Sequence, residues 1–573
     1  MALVVLAIAR ALLTLVPAMT GWAFNLQRFL PPWAWLLWAL AALALAPPIA
    51  RRLVPPLARF GDWIARTPLA AGALAIAVMV GLVLLLPDQV RFVGDFLLRQ
   101  GTADEALPPS TLFPQALPLD VLLHYRLPRA MADLGWADAN GTARLLGAFE
   151  AACFAWLALR FARVNGLNGA PATAATTVVL FGGYLGMFTG FGKAFAEMCV
   201  IAAGIGVFGV EAVRTGRGLL PLGVCLAAGV TLHRSALAFV PAVMLAWAFW
   251  LGSHGRQGAW RRPDVLAAAL VPVATLAVMI PKIVAVVRRF DAVHFAPAAV
   301  TRAGGVLPAA FAGARPYDLL SLIAMLSPLA LAAPLLIVAL GRAPARRREF
   351  WTLLALALPM LATMPFIHPV GGLVRDWDDF AALGVTLSLL TAWLIGEALR
   401  AAPVRAWVAA GVVLGAAMPT VQWLVHHTNV DFGLRRAEAL MSEPPPRSPE
   451  ERAATFDYIG QRNEGLGRFA DAARAFGRAA ETAPSPRILL LWGILESAAG
   501  NHAGAQQAFR RVTEKDSTQL AAWLGLAAAS TRLRQYDEGR RAVERALAID
   551  PRNQDGRSIL RAIERAEAVT PER

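Results

Sequence analysis

Charged residues are scarce in this chain. Only 16% of its 573 residues are Asp, Glu, Lys or Arg, whereas a soluble domain carries about 25%. Hydrophobic residues make up 57% of the chain, and its mean hydropathy is +0.53. This composition excludes an ordinary soluble protein, and the repeated apolar runs indicate a polytopic membrane protein.

Cysteine is rare, and several catalytic motifs are missing. The three cysteines all lie inside apolar runs, which argues against disulfides and against a cysteine-based metal site. The sequence has no P-loop, nucleotide-binding glycine pattern, zinc-ligand spacing or Gly-x-Ser-x-Gly motif. Its net charge of +15 lies mostly in the apolar part and forms no basic stripe interleaved with aromatics. We therefore expect contact with membrane lipids and no nucleic-acid partner.

Thirteen apolar runs are candidate membrane spans. Several of them are short for a helix that crosses a bilayer. The first run contains Arg10 and has no clear cleavage site, so we expect an uncleaved first helix. The runs cover residues 2–22, 31–50, 69–87, 146–160, 171–190, 194–213, 219–232, 235–251, 266–287, 318–340, 351–367, 381–399 and 406–425.

Arginines between the runs predict how the spans are oriented, because cytoplasmic loops are enriched in Arg and Lys. The stretch 219–251 is interrupted by His233 and Arg234. If it crosses outward and returns as two short helices, nearly all arginine-rich loops share the cytoplasmic face. The N-terminus is then inside and the C-terminus outside. Four arginines break this rule, and either a phosphate-bearing ligand or a wrongly assigned loop would explain them: Arg288, Arg289, Arg302 and Arg315.

The same topology gathers unusual polar residues on the outer face. They are Asp95 and His124 in the long loop 88–145, His233 and Arg234 at the turn, and Arg375, Asp376 and Asp378 before the twelfth span. An Arg can hold a phosphate with two parallel hydrogen bonds, and an Asp can take a proton from an attacking hydroxyl. The set predicts an enzyme that handles a lipid-phosphate substrate. The alternative is that the block around Arg375 is a self-neutralising helix cap.

Two further patterns have local interpretations. The pattern that begins at Pro118 predicts an amphipathic surface helix, and this helix carries His124. A role of His124 as catalytic base is the lesser alternative. Lys193 and Glu197 are four residues apart, and we interpret them as an internal ion pair.

The chain after the last span repeats with a period of about 34 residues, which is the tetratricopeptide signature. Small residues such as Ala472 and Ala505 let paired helices approach, and large ones such as Phe476 and Phe509 fill the gap. A charged helix over 553–567 would cap the array. We therefore predict an all-α fold with four parts: a transmembrane domain of about 13 spans in 1–434, a linker in 435–452, three tetratricopeptide repeats in 453–567 and a tail in 568–573.

Together these features resemble bacterial membrane proteins of the GT-C glycosyltransferase superfamily that carry C-terminal tetratricopeptide repeats. The residues that carry the resemblance are Gly94-Asp95, Leu122-Leu123-His124, the stretch Gly182–Phe191 followed by Glu197, Leu232-His233, the block Arg375–Asp378, His427-Thr428-Asn429 and Arg435-Arg436.

The resemblance implies an enzyme of the inner membrane, and the arginine pattern predicts that its repeats lie in the periplasm. Such an enzyme takes a sugar from a polyprenyl-phosphate carrier, with Asp95 as the base that activates the acceptor. Arg375 and His233 or Arg234 would then hold the carrier phosphate, and Asp376 and Asp378 would orient them or bind a divalent cation. No other cofactor is implied, and the repeats would recruit the acceptor or a protein partner. The alternatives are a polysaccharide polymerase or ligase and a non-catalytic scaffold for envelope assembly.

Overall fold

The computed structural model describes residues 1–92, 115–255, 262–291, 298–369 and 371–569, and every regular element in these ranges is helical. The chain divides into two units, Met1–Pro445 and Pro446–Arg573. The candidate base Asp95 lies outside the described residues.

The described residues of the first unit form sixteen principal helices. In chain order, α1–α16 are Ala2–Leu15, Ala34–Leu43, Pro47–Arg66, Pro68–Leu85, Ala139–Val164, Gly169–Leu180, Phe195–Thr215, Leu219–Leu232, Val240–His254, Pro263–Val286, Arg315–Leu326, Ala333–Leu340, Arg348–Thr363, Ala381–Ala401, Val408–His427 and Val430–Ser442. Short helical turns lie between several of them.

Every predicted span has a helical counterpart. Within the described ranges, eight helices are long and apolar enough to cross a membrane, or ten if each of two bent pairs is one span. The bent pairs are α2 with α3, at 91°, and α11 with Ala330–Leu340, at 107°. Prolines explain both bends, because Pro47 begins α3 and Pro328 interrupts the second pair. Three further apolar helices, α1, α6 and α8, are shorter, so the count of thirteen spans stays a prediction.

The predicted break within 219–251 is present. Helix α8 ends at Leu232, His233 has an extended backbone, and a 3-10 turn over Arg234–Phe239 leads into α9. Two antiparallel helices therefore replace one long helix, as the arginine pattern required. This break decides which polar residues share one end of the unit.

Helix α7 defines the two ends of the membrane unit used below. Its 21 residues extend over about 30 Å, roughly the hydrocarbon thickness of a bilayer. We call the end that carries Glu197, in the first turn of α7, the site end. We call the end that carries Arg214, in the last turn, the arginine end.

Arginine contacts tie the helices together at the arginine end. Arg214 donates to the carbonyl oxygen of Asn165 at 3.1 Å, and Arg400 donates to the same oxygen at 2.8 Å. Arg160 on α5 pairs with Glu211 on α7 at 2.7 Å. These arginines follow three different predicted spans, so their shared location agrees with the arginine pattern.

The segment after the last span is helical. Residues 435–442, which the sequence assigned to the linker, belong to α16. Its buried Arg436 lies 5.6 Å from the ring of Trp22 and 5.2 Å from the ring of Trp423. Burial lowers the pKa of Arg436 to about 9. Apolar residues such as Leu434 and Leu440 bury one face of α16, which explains why it packs as part of the first unit.

The second unit consists of three helix pairs and a final helix, as predicted. Helices α17–α23 are Pro449–Gly465, Phe469–Thr482, Pro486–Ala498, His502–Lys515, Leu520–Arg532, Tyr536–Ile549 and Gln554–Val569. Phe509, Val543 and Ile563 belong to its buried core. The turns within the pairs have a left-handed residue at equivalent positions: Gly467, Gly500 and Arg534.

Candidate functional site

A buried ion pair joins Lys193 to Asp378 at the site end. The Lys193 Nζ and Asp378 Oδ2 atoms are 2.6 Å apart, and their side chains are 6% and 0% exposed. Lys193 lies just before α7, and Asp378 lies in the 3-10 turn Trp377–Phe380 that leads into α14. Removing two charges from water costs several kcal/mol per ion. An ion pair as buried as this one therefore contributes little to folding stability by itself.

Asp376 lies beside this pair. Its Oδ2 accepts a hydrogen bond from the amide of Gly371 at 2.9 Å. Burial raises the pKa of Asp376 to about 6, with Asp378 adding to the rise while Arg375 and Lys193 oppose it. The carboxyl group can therefore exchange a proton close to neutral pH.

Trp377 fixes the backbone between these two aspartates. It is 1% exposed, and its ring centroid lies 6.2 Å from that of Phe191 and 5.6 Å from that of Trp423. Gly186 allows this packing, because a Cβ there would lie 3.2 Å from the Trp377 ring. The tryptophan in the charged block is thus a packing anchor that orients Asp376 and Asp378.

His124 lies between two carboxylates. Its Nδ1 is 2.8 Å from Asp120 Oδ1, and its Nε2 is 3.1 Å from Glu197 Oε1. Burial alone would lower the pKa of His124, but the charges of Glu197 and Asp120 outweigh it and raise the pKa to about 9. His124 therefore carries a positive charge at neutral pH, which fits anchoring or charge stabilisation better than a role as base.

The segment that carries His124 begins at Pro118, as predicted, and continues to Asp133 through a wider helical turn. The predicted pairing of Lys193 with Glu197 is not what organises this region. Lys193 pairs with Asp378 because it precedes the first turn of α7, and Glu197 within that turn lies against His124.

Glu150 adds a third carboxylate to this group and was missed from the sequence. It is 4% exposed on α5 and lies beside Glu197. A single glutamate within an apolar span was the available signal, since such residues are costly in a membrane.

His233 and Arg234 lie at the same end. Arg234 Nη1 is 3.0 Å from His233 Nε2, and the His233 ring centroid lies 5.0 Å from that of Phe195. The Lys193 ammonium lies 5.2 Å from the same Phe195 ring. Phe195 thus connects the predicted His233–Arg234 turn to the Lys193–Asp378 pair.

The described candidate residues therefore fall into two linked groups at the site end. Asp378 pairs with Lys193, and Asp376 lies close to both of them and to Arg375. Lys193 connects through Phe195 to His233 and Arg234. His124 joins through Glu197, in the first turn of α7.

Arg315, which broke the arginine rule, has a structural role. Its guanidinium donates to the carbonyl oxygens of Met364, at 3.2 Å, Pro365, at 3.1 Å, and Ile367. It thereby satisfies carbonyl groups where α13 ends. Burial, assisted by the charge of Arg315, lowers the pKa of the neighbouring His368 to about 4.

An apolar groove of about 410 Å³ lies along the middle of α7 and extends toward the arginine end, where Arg160 lies 5.1 Å from the Trp156 ring and 5.6 Å from the Phe208 ring. It is lined by side chains of α4, α5, α7 and α8: Ile76, Ala152, Cys153, Trp156, Leu157, Val200, Ile201, Gly204, Phe208, Val224, Cys225 and Ala228. Cys153 lies one helical turn beyond Glu150, and Ile201 lies one turn beyond Glu197. The buried carboxylates and part of the groove lining are thus neighbours along α5 and α7.

A metal site is not evident in the ranges that the structure describes. No group of three or more His, Cys, Asp or Glu side chains there is arranged to hold a metal ion. The predicted divalent cation near Asp376 and Asp378 stays a hypothesis.

Comparisons with known proteins identify the second unit most clearly. A tetratricopeptide-repeat family model matches residues 497–563. Similar solved structures include the first tetratricopeptide domain of Spaghetti (RPAP3) bound to an HSP90 peptide, at 19% identity over 21% of this chain and 94% of that one, with a TM-score of 0.20. The Sgt2 domain from Aspergillus fumigatus matches at 21% identity over 22% and 92%, also with a TM-score of 0.20.

A further match covers most of the chain. ArnT from Cupriavidus metallidurans, a GT-C glycosyltransferase solved with undecaprenyl phosphate, matches at 15% identity over 77% of this chain and 80% of that one, with a TM-score of 0.36. No curated protein matches the sequence. The proposal below rests on this chain's own residues.

Proposed function

We propose that this chain is a membrane glycosyltransferase that takes its sugar from a polyprenyl-phosphate-linked donor at the extracytoplasmic face. The observation that carries the proposal is the group of buried cationic and acidic side chains at the site end, together with an apolar groove along α5 and α7, the helices that carry Glu150 and Glu197. A phosphate that carries a long hydrocarbon chain needs both features. The charged groups suit its headgroup, and the groove suits its first isoprenoid units.

The reaction would form a bond between an acceptor hydroxyl oxygen and the anomeric carbon of the sugar, and would break the bond between that carbon and the carrier phosphate. The phosphate leaves with the bonding electrons, so cations near it stabilise the transition state. Arg375, His233 and Arg234 are the proposed phosphate ligands, and Lys193 is a further cation close to Asp376.

A base must accept the proton of the acceptor hydroxyl. Asp95 has this role by the family resemblance. Asp376, unlike Asp95, lies in the part of the chain that the structure describes. Its pKa of about 6 suits proton exchange near neutral pH. In this proposal Asp376 orients Arg375, and His124 holds the segment 118–133 against α7. The repeat unit recruits the acceptor or a protein partner.

Binding of undecaprenyl phosphate to the purified full-length chain in nanodiscs tests the proposal, with undecaprenol as the probe that lacks phosphate. We expect the phosphate form to bind at least 10-fold more tightly, and Arg375→Ala to remove most of that preference. Arg405→Ala, an exposed arginine beyond α14, is the matched control. Equal binding of both lipids would overturn the phosphate site and favour the non-catalytic scaffold.

A further inference from the structure

A second recess lies at the arginine end. Its volume is about 350 Å³, and it is lined by Leu245, Phe249, Ala345, Arg346, Arg347, Arg348 and Trp351. We call its apolar and aromatic lining residues the floor, and its three consecutive arginines the rim. Lys193 and Asp376 lie beyond the opposite end of α7, so this recess belongs to neither the candidate site nor its groove.

The arginines on the rim are placed where helix stability gives no reason for them. Arg347 caps the N-terminus of α13 and Arg348 is its first residue. Cations are unfavourable at a helix N-terminus, because the helix dipole is positive there. An anion at this position would be stabilised by the dipole, by free backbone N–H groups and by the arginines together.

Only part of this charge is neutralised within the protein. Glu349 Oε1 lies 3.5 Å from Arg347 and 3.4 Å from Arg214. Among the residues that the structure describes, no carboxylate pairs with Arg346 or Arg348, and both are exposed. The recess therefore presents net positive charge.

Aromatic contacts give the recess a defined shape. Arg348 lies 5.8 Å from the centre of the Phe249 ring and donates a hydrogen bond to Ser253. Trp351 is 42% exposed, and its indole N–H donates to the carbonyl oxygen of Ala345 at 3.0 Å. Tryptophan is enriched at membrane–water interfaces, where its ring lies among the lipid headgroups. The position of Trp351, exposed and next to arginines at the end of a span, is typical of such an interface.

We propose that this recess binds the headgroup of an anionic phospholipid. The arginines contact the phosphate, and Leu245, Phe249 and Trp351 contact the glycerol backbone and the first methylenes of the acyl chains. A lipid fits better than a free phosphate, because a soluble anion would leave the apolar floor unused. This proposal is independent of the glycosyltransferase reaction, since it concerns the other end of the helices.

The competing explanation is that Arg346, Arg347 and Arg348 only set the orientation of the neighbouring spans. Orientation depends on the number of positive charges near a span and needs no recess. The two explanations therefore differ in whether binding depends on these three arginines or on any three arginines of the same membrane face.

Native mass spectrometry of the purified full-length chain in detergent separates them. Three probes are titrated: dioleoylphosphatidylglycerol, dioleoylphosphatidylcholine with the same acyl chains, and glycerol 1-phosphate without acyl chains. The test variant is Arg346→Gln/Arg347→Gln/Arg348→Gln. The control is Arg51→Gln/Arg52→Gln/Arg59→Gln, which removes the same charge from exposed arginines of α3.

We expect the wild-type chain to bind one phosphatidylglycerol at least 10-fold more tightly than phosphatidylcholine. The test variant should lose this preference, and the control should keep it. Equal loss in both variants, equal binding of the two lipids, or tighter binding of glycerol 1-phosphate than of phosphatidylglycerol would each overturn the proposal.

If the triple variant does not fold, the exposed Arg346→Gln alone is measured in its place. We then expect about a threefold loss in phosphatidylglycerol affinity and none in the matched Arg52→Gln variant. An unchanged affinity in Arg346→Gln would also contradict the proposal.

Discussion

The two ends of the membrane unit use charge in opposite ways. At the arginine end the pair Arg160–Glu211 is 31% and 12% exposed, so water shares in its solvation. At the site end the pair Lys193–Asp378 is 6% and 0% exposed. Partly exposed pairs contribute little to stability and suit orientation of the spans, whereas fully buried charges need a reason to be retained. This difference is what the proposal predicts if one end sets the topology and the other carries the chemistry.

The largest effect should follow from breaking the buried pair. Asp378→Asn leaves the Lys193 charge buried without its carboxylate, which should cost about 3–5 kcal/mol of unfolding free energy. Urea unfolding of the detergent-solubilised chain measures this loss. The double variant Lys193→Met/Asp378→Leu should recover most of the unfolding free energy that Asp378→Asn loses. It should still show no sugar transfer. Full transfer in the double variant would show that the pair serves packing alone.

A second effect concerns Arg375 and separates phosphate binding from charge balance. If Arg375 holds a phosphate with two hydrogen bonds, Arg375→Lys should lower lipid-linked sugar turnover at least 10-fold with normal protein yield. Arg375→Ala should lower turnover further. If Arg375 only balances Asp376 and Asp378, lysine should be tolerated and alanine should reduce yield. Turnover and yield of both variants, with Arg405→Lys as the arginine-end control, distinguish the two roles.

The pH dependence of stability should report His124. Its pKa is raised in the folded state to about 9, above the model-peptide value of 6.5. The stabilisation is therefore fully present below pH 6.5 and is lost as the pH rises through 9. The unfolding free energy should fall over this range with a slope approaching about 1.4 kcal/mol per pH unit. His124→Gln should flatten this part of the profile, and an unchanged slope in that variant would refute the assignment.

The smallest effect is expected at the arginine end. Arg160→Gln breaks a partly exposed pair, and its cost in unfolding free energy should stay below about 1 kcal/mol. The same urea titration as for Asp378→Asn provides the comparison. A loss as large as that of Asp378→Asn would remove the distinction between the two ends.

The sequence predicted the parts of this fold that depend on local patterns. The break at His233, the start at Pro118 and the three repeat pairs follow from apolar runs, proline positions and a 34-residue period, which nearby residues determine. Span 31–50 was less well predicted, because Pro47 begins a new helix, α3, whose axis is bent by 91° from that of α2. The assignment of residues 435–442 to a linker missed the buried contacts of α16.

The candidate site shows where sequence patterns stop being informative. Charged residues at the ends of spans could be selected, but their partners are set by tertiary contacts. Lys193 and Glu197 are close in sequence, yet Lys193 pairs with Asp378, 185 residues away. Glu150 joins the group only because α5 packs against α7, which no local spacing reveals.

The membrane orientation is the central claim, and paired reporter fusions test it most directly. Alkaline phosphatase, active outside the cytoplasm, and a fluorescent protein that folds only inside it are fused after Gly255, beyond α9 at the arginine end, and after Arg573. We predict fluorescence without phosphatase activity at Gly255 and phosphatase activity without fluorescence at Arg573. Fluorescence at Arg573, or phosphatase activity at Gly255, would contradict the extracytoplasmic site and the comparison between the two ends.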